Sequence, residues 1–330
     1  YQRLGSPRLL GVTATPERAD GKGLGESAGG LFQTLLEVIG VRELIDEGYL
    51  SDYRVYAPPS QIDLSAIKTK MGDFDKQALA DQVDKPQIVG DAVSHYARIC
   101  PGVPAIAFGV SIEHCEHIAS GFRDAGFNFQ VIDGTMDPTT RKKLIKGLGN
   151  EIHGLVSADL ISEGTDIPGV TAAIFLRPTK SLGLYIQQAG RALRTVFADG
   201  YDLSTREGRL AAIAAGPKPT AYIIDHVGNT MRHGFVDLER EWSLDGRVKT
   251  KGKKKAEDDV KIDLLQCPQC YVVSMPAPVC PSCGFVHPVK QARGLEQVDG
   301  ELQEITPEMR EKMRAQDMAR QRSAQAAAKS

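Results

Sequence analysis

Residues 103–125 read VPAIAFGVSIEHCEHIASGFRDA, and this stretch decides the fold because an apolar run leads directly into a helical pattern. A short apolar run of this kind is typical of a buried strand in a parallel sheet. Ser111 stands between the two patterns, where the N-cap of a helix is expected. We therefore predict a strand over 103–108 and a helix over 112–125.

The same alternation of patterns continues along the chain to about residue 226. Further strands are predicted over 129–132, 154–156, 172–176 and 221–224, and further helices over 139–148 and 182–193. Asp137 and Pro138 precede the first of these helices, as N-cap and first-turn residues do. Repeated units of strand, helix and strand predict a doubly wound α/β domain with a parallel sheet.

The residues ahead of this domain predict a connecting segment. The run 9–12 has the composition of one more buried strand, and the glycine-rich stretch 21–30 predicts a loop. Residues 31–50 suggest two short helices, the second of which ends at Gly48 as a C-cap glycine does. A strand over 53–56 follows and leads into the domain.

The composition is that of an ordinary globular chain of 330 residues, long enough for a sizeable core and one or two appendages. Its 40 basic and 42 acidic side chains give a formal charge of -2, which excludes a uniformly basic coat but allows a local phosphate-binding patch. No apolar run is long enough to cross a bilayer. The start at Tyr1 shows no secretion signal and is interpreted as a cut or processed end. We expect a cytoplasmic protein without membrane contact.

Four segments place polar residues at predicted strand ends or helix starts, namely 11–16 (GVTATP), 105–111 (AIAFGVS), 156–168 (VSADLISEGTDIP) and 187–194 (QQAGRALR). In open parallel sheets, ligands bind at the carboxyl ends of strands, where loops and helix N-termini present polar groups. Each of the first three segments also has a structural interpretation when it stands alone: a strand exit, a capping serine, and an Asx turn before a proline. Their fixed order favours a shared ligand site.

Arg191 and Arg194 are the strongest candidates for chemistry in the fourth segment. They are three residues apart in a predicted helix, and this spacing places both side chains on one helix face. Two guanidinium groups on one face repel each other unless an anion lies nearby, and a triphosphate meets that need. The alternative interpretation is an exposed basic face of the helix.

Taken together, the four segments resemble motifs III, IV, V and VI of the superfamily 2 helicases. Thr13-Ala14-Thr15 resembles the (S/T)AT motif, Gly164 and Asp166 resemble the core of motif V, and residues 187–194 resemble the QxxGRxxR form of motif VI. The flanking residues 44–50 and 178–181 are similar to the DEAD/DEAH-type branch that includes XPB-like repair helicases and phage helicases. The resemblance covers about residues 9–228.

The resemblance implies a monomeric ATP-driven motor in which two RecA-like domains close on ATP with Mg2+ and step along a nucleic-acid strand. DNA is the expected strand because the similar branch acts on DNA. Arg191 and Arg194 would be the catalytic arginine fingers. The resemblance further implies ATP contacts at Gly164, Asp166 and Gln187, coupling at Thr13, Ala14 and Thr15, and nucleic-acid contacts at Ser111, Gly134, Thr135, Ser157 and Asp159.

The chain departs from the family pattern in one important respect. It contains no GxxxxGK(S/T) loop and no DExH segment, and Gly21-Lys22-Gly23 lacks the spacing and the hydroxyl residue that such a loop requires. The partner implied by the resemblance is therefore an N-terminal RecA-like domain of the same protein. We expect the 330-residue chain alone to bind ATP weakly and to hydrolyse it negligibly.

Four cysteines near the C-terminal end predict a metal site. Cys267 and Cys270 form one close pair and Cys280 and Cys283 the other, which is the spacing of a tetrahedral structural Zn2+ site in a reducing compartment. Cys100 and Cys115 are interpreted as core thiols. The lysine run at 249–255 could contact phosphates or form a solvated linker.

The predicted fold class is α/β, with a RecA-like parallel sheet sandwiched by helices, a small zinc ribbon and a C-terminal helical tail. The predicted division is the end of a first RecA-like domain with the connector (1–50), a second RecA-like domain (51–242), a basic linker (243–263), a four-cysteine zinc ribbon (264–290) and a helical or disordered tail (291–330). Two further functional hypotheses stay open: the motor part of a restriction or nuclease complex, and a noncatalytic scaffold that binds nucleic acid.

Overall fold

The computed structural model describes most of the chain, namely residues 8–18, 22–58, 62, 64, 67–70, 73–158, 167, 169–245 and 263–288. The chain divides into two compact units, residues 1–287 and 288–330, and only Pro288 of the second unit is described. Three predicted features lie outside the described residues: the core of motif V with Asp159, Gly164 and Asp166, the lysine run at 249–255, and the C-terminal tail.

A six-stranded sheet forms the centre of the first unit. Its strands are β1 (Tyr53–Tyr56), β4 (Ala105–Phe108), β5 (Phe129–Val131), β6 (Gly154–Ser157), β7 (Ala172–Phe175) and β8 (Ala221–Asp225). They lie in the order β1-β8-β7-β4-β6-β5, and every neighbouring pair is parallel. Crossover connections between parallel strands require intervening helices, as the sequence pattern predicts. The expected α/β class with a parallel sheet is confirmed.

Eight α-helices are found among the described residues: α1 (Val41–Asp46), α2 (Lys76–Val83), α3 (Pro86–Ile99), α4 (Ile112–Asp124), α5 (Pro138–Gly147), α6 (Leu182–Leu193), α7 (Arg206–Ala215) and α8 (Asn229–His233). Five of them begin at a side-chain cap, where a Ser, Thr or Asp oxygen accepts a backbone N–H of the first turn. None of the described helices has the length and apolarity that a membrane span needs.

The two faces of the sheet are buried by different helices. Along β4, Ile106 and Phe108 join the apolar cluster beneath α6, whereas Ala105 and Ala107 join the cluster beneath α3 and α4. Successive side chains of a strand point to opposite faces of a sheet. The parallel sheet is therefore covered on both sides by helices, as the predicted sandwich requires.

Two elements predicted ahead of the domain are not found. Residues 9–12 form no strand, and Leu10 and Val12 are 88% and 91% exposed. Residues 31–39 form no helix, and the apolar side chains of this stretch, such as Val38, are largely exposed. A strand needs a neighbour for its backbone groups, and a short helix needs an apolar surface to pack against. Among the described residues, 9–12 have no neighbouring strand and 31–39 have no apolar surface to pack against.

Four described helices and a hairpin are absent from the sequence-based prediction. The hairpin consists of β2 (Thr69–Lys70) and β3 (Asp73–Phe74), and it leads into α2 and α3 between β1 and β4. The third and fourth missing helices are α7 and α8. The hairpin is too short to leave a period-2 pattern, because each of its strands has only two residues.

The cysteine module begins with a second hairpin, formed by β9 (Leu265–Gln266) and β10 (Val273–Ser274). This hairpin lies against the edge strand of the large sheet. Val272 forms an antiparallel bridge with Tyr56, and Ala57 N donates to the carbonyl oxygen of Tyr271 over 2.9 Å. The module therefore extends the β1 edge of the sheet.

Candidate functional site

Helix α6 carries the fourth sequence motif and forms one wall of the candidate site. Its apolar residues, among them Tyr185 and Ala189, are buried against the sheet, whereas Gln187 is exposed and Arg191 is half-buried. The helix begins at Ser181, whose hydroxyl accepts the backbone N–H of Leu184 over 3.2 Å. The amphipathic pattern thus presents the polar residues of this motif on the outer face of the helix.

The first and fourth motifs meet directly in the structure. Gln187 Nε2 donates to Thr15 Oγ1 over 2.7 Å, although 172 positions separate the two residues. The Thr13 hydroxyl fixes the same turn, because it accepts the backbone N–H of Thr15 over 3.1 Å. Thr15 is 5% exposed, whereas Thr13 and Ala14 are exposed. The structure therefore brings together two of the predicted coupling residues and Gln187, which was predicted to contact ATP.

The two arginines of the fourth motif are placed differently from each other. Helix α6 ends at Leu193, so that Arg191 lies within the helix and Arg194 is the C-cap with an extended backbone at φ -61 and ψ 136. The helix thus reaches Arg194 only as its C-cap, and the prediction that both arginine side chains share one helix face stays a prediction. The helix stops here because Arg194 forms an antiparallel backbone bridge with Leu50.

The loop between β7 and α6 is held by side chains that the sequence analysis missed. Asp73 of the β2–β3 hairpin accepts the backbone N–H of Lys180 over 2.7 Å and the hydroxyl of Thr179 over 2.9 Å. Arg177 donates to the carbonyl oxygen of Ala158 over 2.6 Å, within the segment that resembles motif V. Arg177 also lies 3.7 Å from the Asp73 carboxylate. The hairpin therefore ties the start of α6 to the end of β6.

Two further buried residues support the same loop from the β8 side. Asn229 accepts the backbone N–H of Thr179 over 3.0 Å and donates to the carbonyl oxygen of Arg177 over 2.9 Å. Asp225 accepts the backbone N–H groups of Thr230 and Val227 over 2.6 and 3.1 Å, and its burial raises the pKa of the carboxyl group. A sequence signal exists for Asp225 and Asn229, because both follow a predicted buried strand. Their hydrogen-bond partners, however, are shown only by the fold.

A cavity of about 670 Å³ lies between Glu17, which follows the first motif, the β2–β3 hairpin and α6. Cationic, acidic and neutral side chains line it together: Glu17, Lys70, Asp73, Phe74, Asp75, Lys76, Gln77, Arg177, Ser181, Gly183, Leu184 and Gln187. A second cavity of about 450 Å³ shares Lys76 and Gln77 with the first and reaches Ser111 and Ala158. The two cavities follow the carboxyl edge of the sheet, where the predicted site lies.

The predicted nucleic-acid contacts are spread along this edge. Ser111 lines the second cavity and caps α4, because its hydroxyl accepts the backbone N–H of His114 over 3.1 Å. Ser157 is buried at the end of β6. Gly134 and Thr135 are not among the described residues that line the two cavities. They lie in a turn fixed by Asp133. Hydrogen bonds from Thr135 lower the pKa of the Asp133 carboxyl group.

His226 follows directly after β8 and is buried rather than presented to a ligand. Its ring stacks on that of His95 with 5.2 Å between the centroids, and burial lowers the pKa of His226 to about 3. A neutral imidazole in this position packs as a core group at physiological pH. Nothing in its described surroundings assigns it to chemistry.

The four cysteines of the ribbon come together as predicted. One ligand atom from each of Cys267, Cys270, Cys280 and Cys283 lies within 4.8 Å of all the others. The sulfur atoms of Cys267 and Cys283 are 3.6 Å apart, and those of Cys270 and Cys280 are 3.7 Å apart. Tetrahedral Zn2+ with bonds of about 2.3 Å places its thiolates about 3.8 Å apart. The donor set and its spacing therefore fit such an ion.

The two cysteine pairs also have the same local backbone. The residue after the second cysteine of each pair has a positive φ, 62° at Tyr271 and 73° at Gly284. In each pair the backbone N–H of that residue donates to the carbonyl oxygen of the first cysteine, at 2.9 and 3.0 Å. Repetition of this turn aims both thiols of a pair at one point.

The fold and the order of the motifs agree with a family comparison. Residues 90–196 match the family described as "Helicase conserved C-terminal domain". The match covers motifs IV, V and VI. The expectation of a C-terminal helicase domain, made from the order of the motifs, is confirmed.

Several curated relatives and solved structures are similar to parts of this chain. The "51.5 kDa protein" of a Lactococcus phage (isolate 7-9) is 32% identical over 306 residues, which cover 92% of this chain and 61% of the relative. A second relative is the "Putative ATP-dependent helicase IRC3" of Saccharomyces cerevisiae. It is 27% identical to this chain, and the match covers 56% of this chain and 27% of the relative. A DNA-bound ATP-dependent Type ISP restriction-modification enzyme has a TM-score of 0.38 and 22% identity, over 57% of this chain and 13% of that chain. The chain spans less than two thirds of the curated relatives named here.

Proposed function

We propose that this chain is the C-terminal motor portion of an ATP-dependent DNA helicase or translocase. The observation that carries the proposal is the 2.7 Å hydrogen bond between Gln187 of the fourth motif and Thr15 of the first. A motor must connect the segment that leaves its first domain with the helix that senses nucleotide in its second. This contact is a direct connection of that kind, built from the two segments that the resemblance assigns to coupling and to ATP.

In this function, Arg191 and Arg194 are the arginine fingers. Charge develops on the phosphoryl oxygens as the terminal phosphate of ATP is transferred to water, and guanidinium groups positioned there stabilise it. Gly164, Asp166 and Gln187 complete the contacts to the nucleotide on this side. The opposite side, with the P-loop and the Mg2+ ligands, is supplied by an N-terminal RecA-like domain of the same protein.

The nucleic-acid strand is proposed to run along the carboxyl edge of the sheet, past Ser111, Gly134, Thr135, Ser157 and Asp159. Support comes from the second cavity, which Ser111 lines. DNA is proposed because the motifs are similar to the branch of repair and phage helicases. The cysteine module is proposed to hold Zn2+ as a structural ion, since four thiolate ligands leave no open position for chemistry.

The proposal is tested by ATP hydrolysis of the full-length protein with single-stranded DNA, duplex DNA and RNA as competing activators. We expect DNA to stimulate hydrolysis most strongly. We expect Arg191→Ala to lower the stimulated kcat by roughly three to five powers of ten while DNA binding is retained. The matched control is Arg54→Ala, an exposed arginine of β1, which should keep full activity. A noncatalytic scaffold would show no hydrolysis in either form, and its DNA binding would not depend on ATP.

A further inference from the structure

The C-terminal end of α6 is held by three groups outside the fourth motif. Ser51 N donates to the carbonyl oxygen of Leu193 over 2.8 Å. The backbone of Leu50 forms an antiparallel bridge with Arg194. The ammonium group of Lys218 donates to the carbonyl oxygen of Arg194. The last carbonyl groups of a helix have no partner within the helix, so these three residues, here named the α6 clamp, complete its C-terminal end.

Lys218 is the unusual member of the α6 clamp because it is buried. Its exposed fraction is only 1%, and its burial, with a smaller contribution from the nearby Arg194 cation, lowers the pKa of the Lys218 ammonium group to about 7. Removing an ammonium group from water is costly unless polar partners replace the water. The negative end of the α6 dipole and the Arg194 carbonyl group are such partners. The Lys218 ammonium group is thus held by the carbonyl oxygen of Arg194, a backbone atom of the fourth motif.

The other side of the α6 clamp is anchored to the same domain through α7. Arg209, which is also buried, donates to the carbonyl oxygen of Glu47 over 2.8 Å. Its guanidinium carbon lies 4.1 Å from the centre of the Tyr49 ring. These contacts fix the segment that carries Leu50. The backbone of Arg194 is therefore held from the Leu50 side and from the Lys218 side.

We propose that Lys218 is a positioning residue for Arg194. Arg194 is the C-cap of α6, and no further helical turn follows it. The position of its side chain therefore depends on how this end of the helix is held, and Lys218 holds the carbonyl oxygen of Arg194. The inference rests on the proposed role of Arg194 as an arginine finger. It adds Lys218, which lies outside the four motifs, to the residues on which that role depends.

The test is a double-mutant cycle in the full-length protein, with kcat and KM for ATP measured in the presence of DNA. We expect Lys218→Met to lower kcat on the order of 100-fold, because a displacement of about 1 Å at a catalytic group has an effect of that size. We expect KM to change little. In an Arg194→Ala background, Lys218→Met should cause almost no further loss, because it acts through the residue that is already missing. Lys143→Met, an exposed lysine of α5, is the control and should leave kcat unchanged.

The outcomes separate the inference from the proposed function. If Lys218→Met lowers kcat by the same factor with and without Arg194, Lys218 has only a general structural role and the inference is overturned while the function stands. If Arg194→Ala alone leaves kcat unchanged, the arginine-finger role itself fails and the inference fails with it. Should melting curves show that Lys218→Met is unfolded, Lys218→Arg replaces it. That variant keeps a cationic donor and should keep most of the parent kcat, whereas a loss as large as that of Arg194→Ala contradicts the inference.

Discussion

The motor site and the cysteine ribbon are constructed in opposite ways. At the sheet edge, Thr15 and Gln187 meet across 172 positions of sequence, and their contact depends on the packing of the whole domain. In the ribbon, Cys267 and Cys283 are only 16 positions apart, and two short turns bring all four thiols together. Long-range packing thus determines the first site and local spacing determines the second. A perturbation of the domain core should damage the motor site, whereas loss of the metal should damage the ribbon first.

The two regions are nevertheless joined by apolar packing. Val272 of the ribbon is buried in a small cluster with Tyr56 of β1, Cys267 and Cys280. The ribbon has little other core, because few of its described side chains are buried. Its fold therefore depends on the proposed metal ion together with this patch of the motor domain.

The largest expected effect comes from removal of the metal. Bound zinc contributes roughly 10 to 16 kcal/mol of apparent folding free energy to modules of this kind, so a strong chelator should unfold the ribbon. The α/β domain should stay folded because its own core is extensive. Limited proteolysis with and without chelator measures this difference, and a digestion pattern that does not change would contradict the zinc assignment.

Two cysteine variants sharpen the same comparison. Cys270→Ser removes a proposed ligand and should abolish metal binding, as measured by the metal content of the purified protein. Cys100→Ala is the matched control because Cys100 is a buried thiol of the motor domain, in the cluster with Tyr96. It should lower the stability of the domain and leave the metal content unchanged.

A smaller effect is expected from two histidines of α4, which test local environment within the motor domain. Hydrogen bonding to Asp84, 2.9 Å away, raises the pKa of the exposed His117 above its usual value. Burial lowers the pKa of His114 to about 4. The pair with Asp84 therefore stabilises the fold below the unfolded-state pKa near 6.5, and this contribution is lost as the pH rises through the folded-state pKa of His117. His114 acts in the opposite direction, because stability falls as the pH drops below about 6.5.

An NMR titration of the two imidazoles measures both shifts. We expect His117 to titrate above 6.5 and His114 well below it, and we expect Asp84→Asn to return the pKa of His117 towards 6.5. If His117 titrated at its ordinary value in the parent protein, its pair with Asp84 would have no energetic meaning. Such surface pairs are weak, which places this prediction last in size.

Much of the fold could be predicted from the sequence because its signals are local and repeated. The strand 53–56 and the helix 182–193 coincide with β1 and α6, and the other predicted strands and helices of the domain differ from the observed ones only at their ends. The cysteine pairs were equally clear, because their spacing alone specifies the turn that brings thiols together. Each of these features depends on residues that are near one another in sequence.

The rest depended on contacts that no local pattern records. The run 9–12 has the composition of a strand but has no neighbouring strand among the described residues, so composition alone misled. The partners of Asp73 lie more than 100 positions away, and only the fold brings the carboxylate to Thr179 and Lys180. The same holds for the end of α6, where a bridge joins the backbone of Arg194 to the distant Leu50.

The central claim is that the first and fourth motifs act together through the bond between Thr15 and Gln187. The most direct test is DNA-stimulated ATP hydrolysis by the full-length protein carrying Thr15→Val, Gln187→Leu or both. We predict that each single change weakens the stimulation while DNA affinity is kept. We further predict that the double variant is stimulated no less than the less active single variant, which corresponds to a coupling energy of about 0.5 to 3 kcal/mol. Losses that multiply, as if the two residues acted independently, would contradict it.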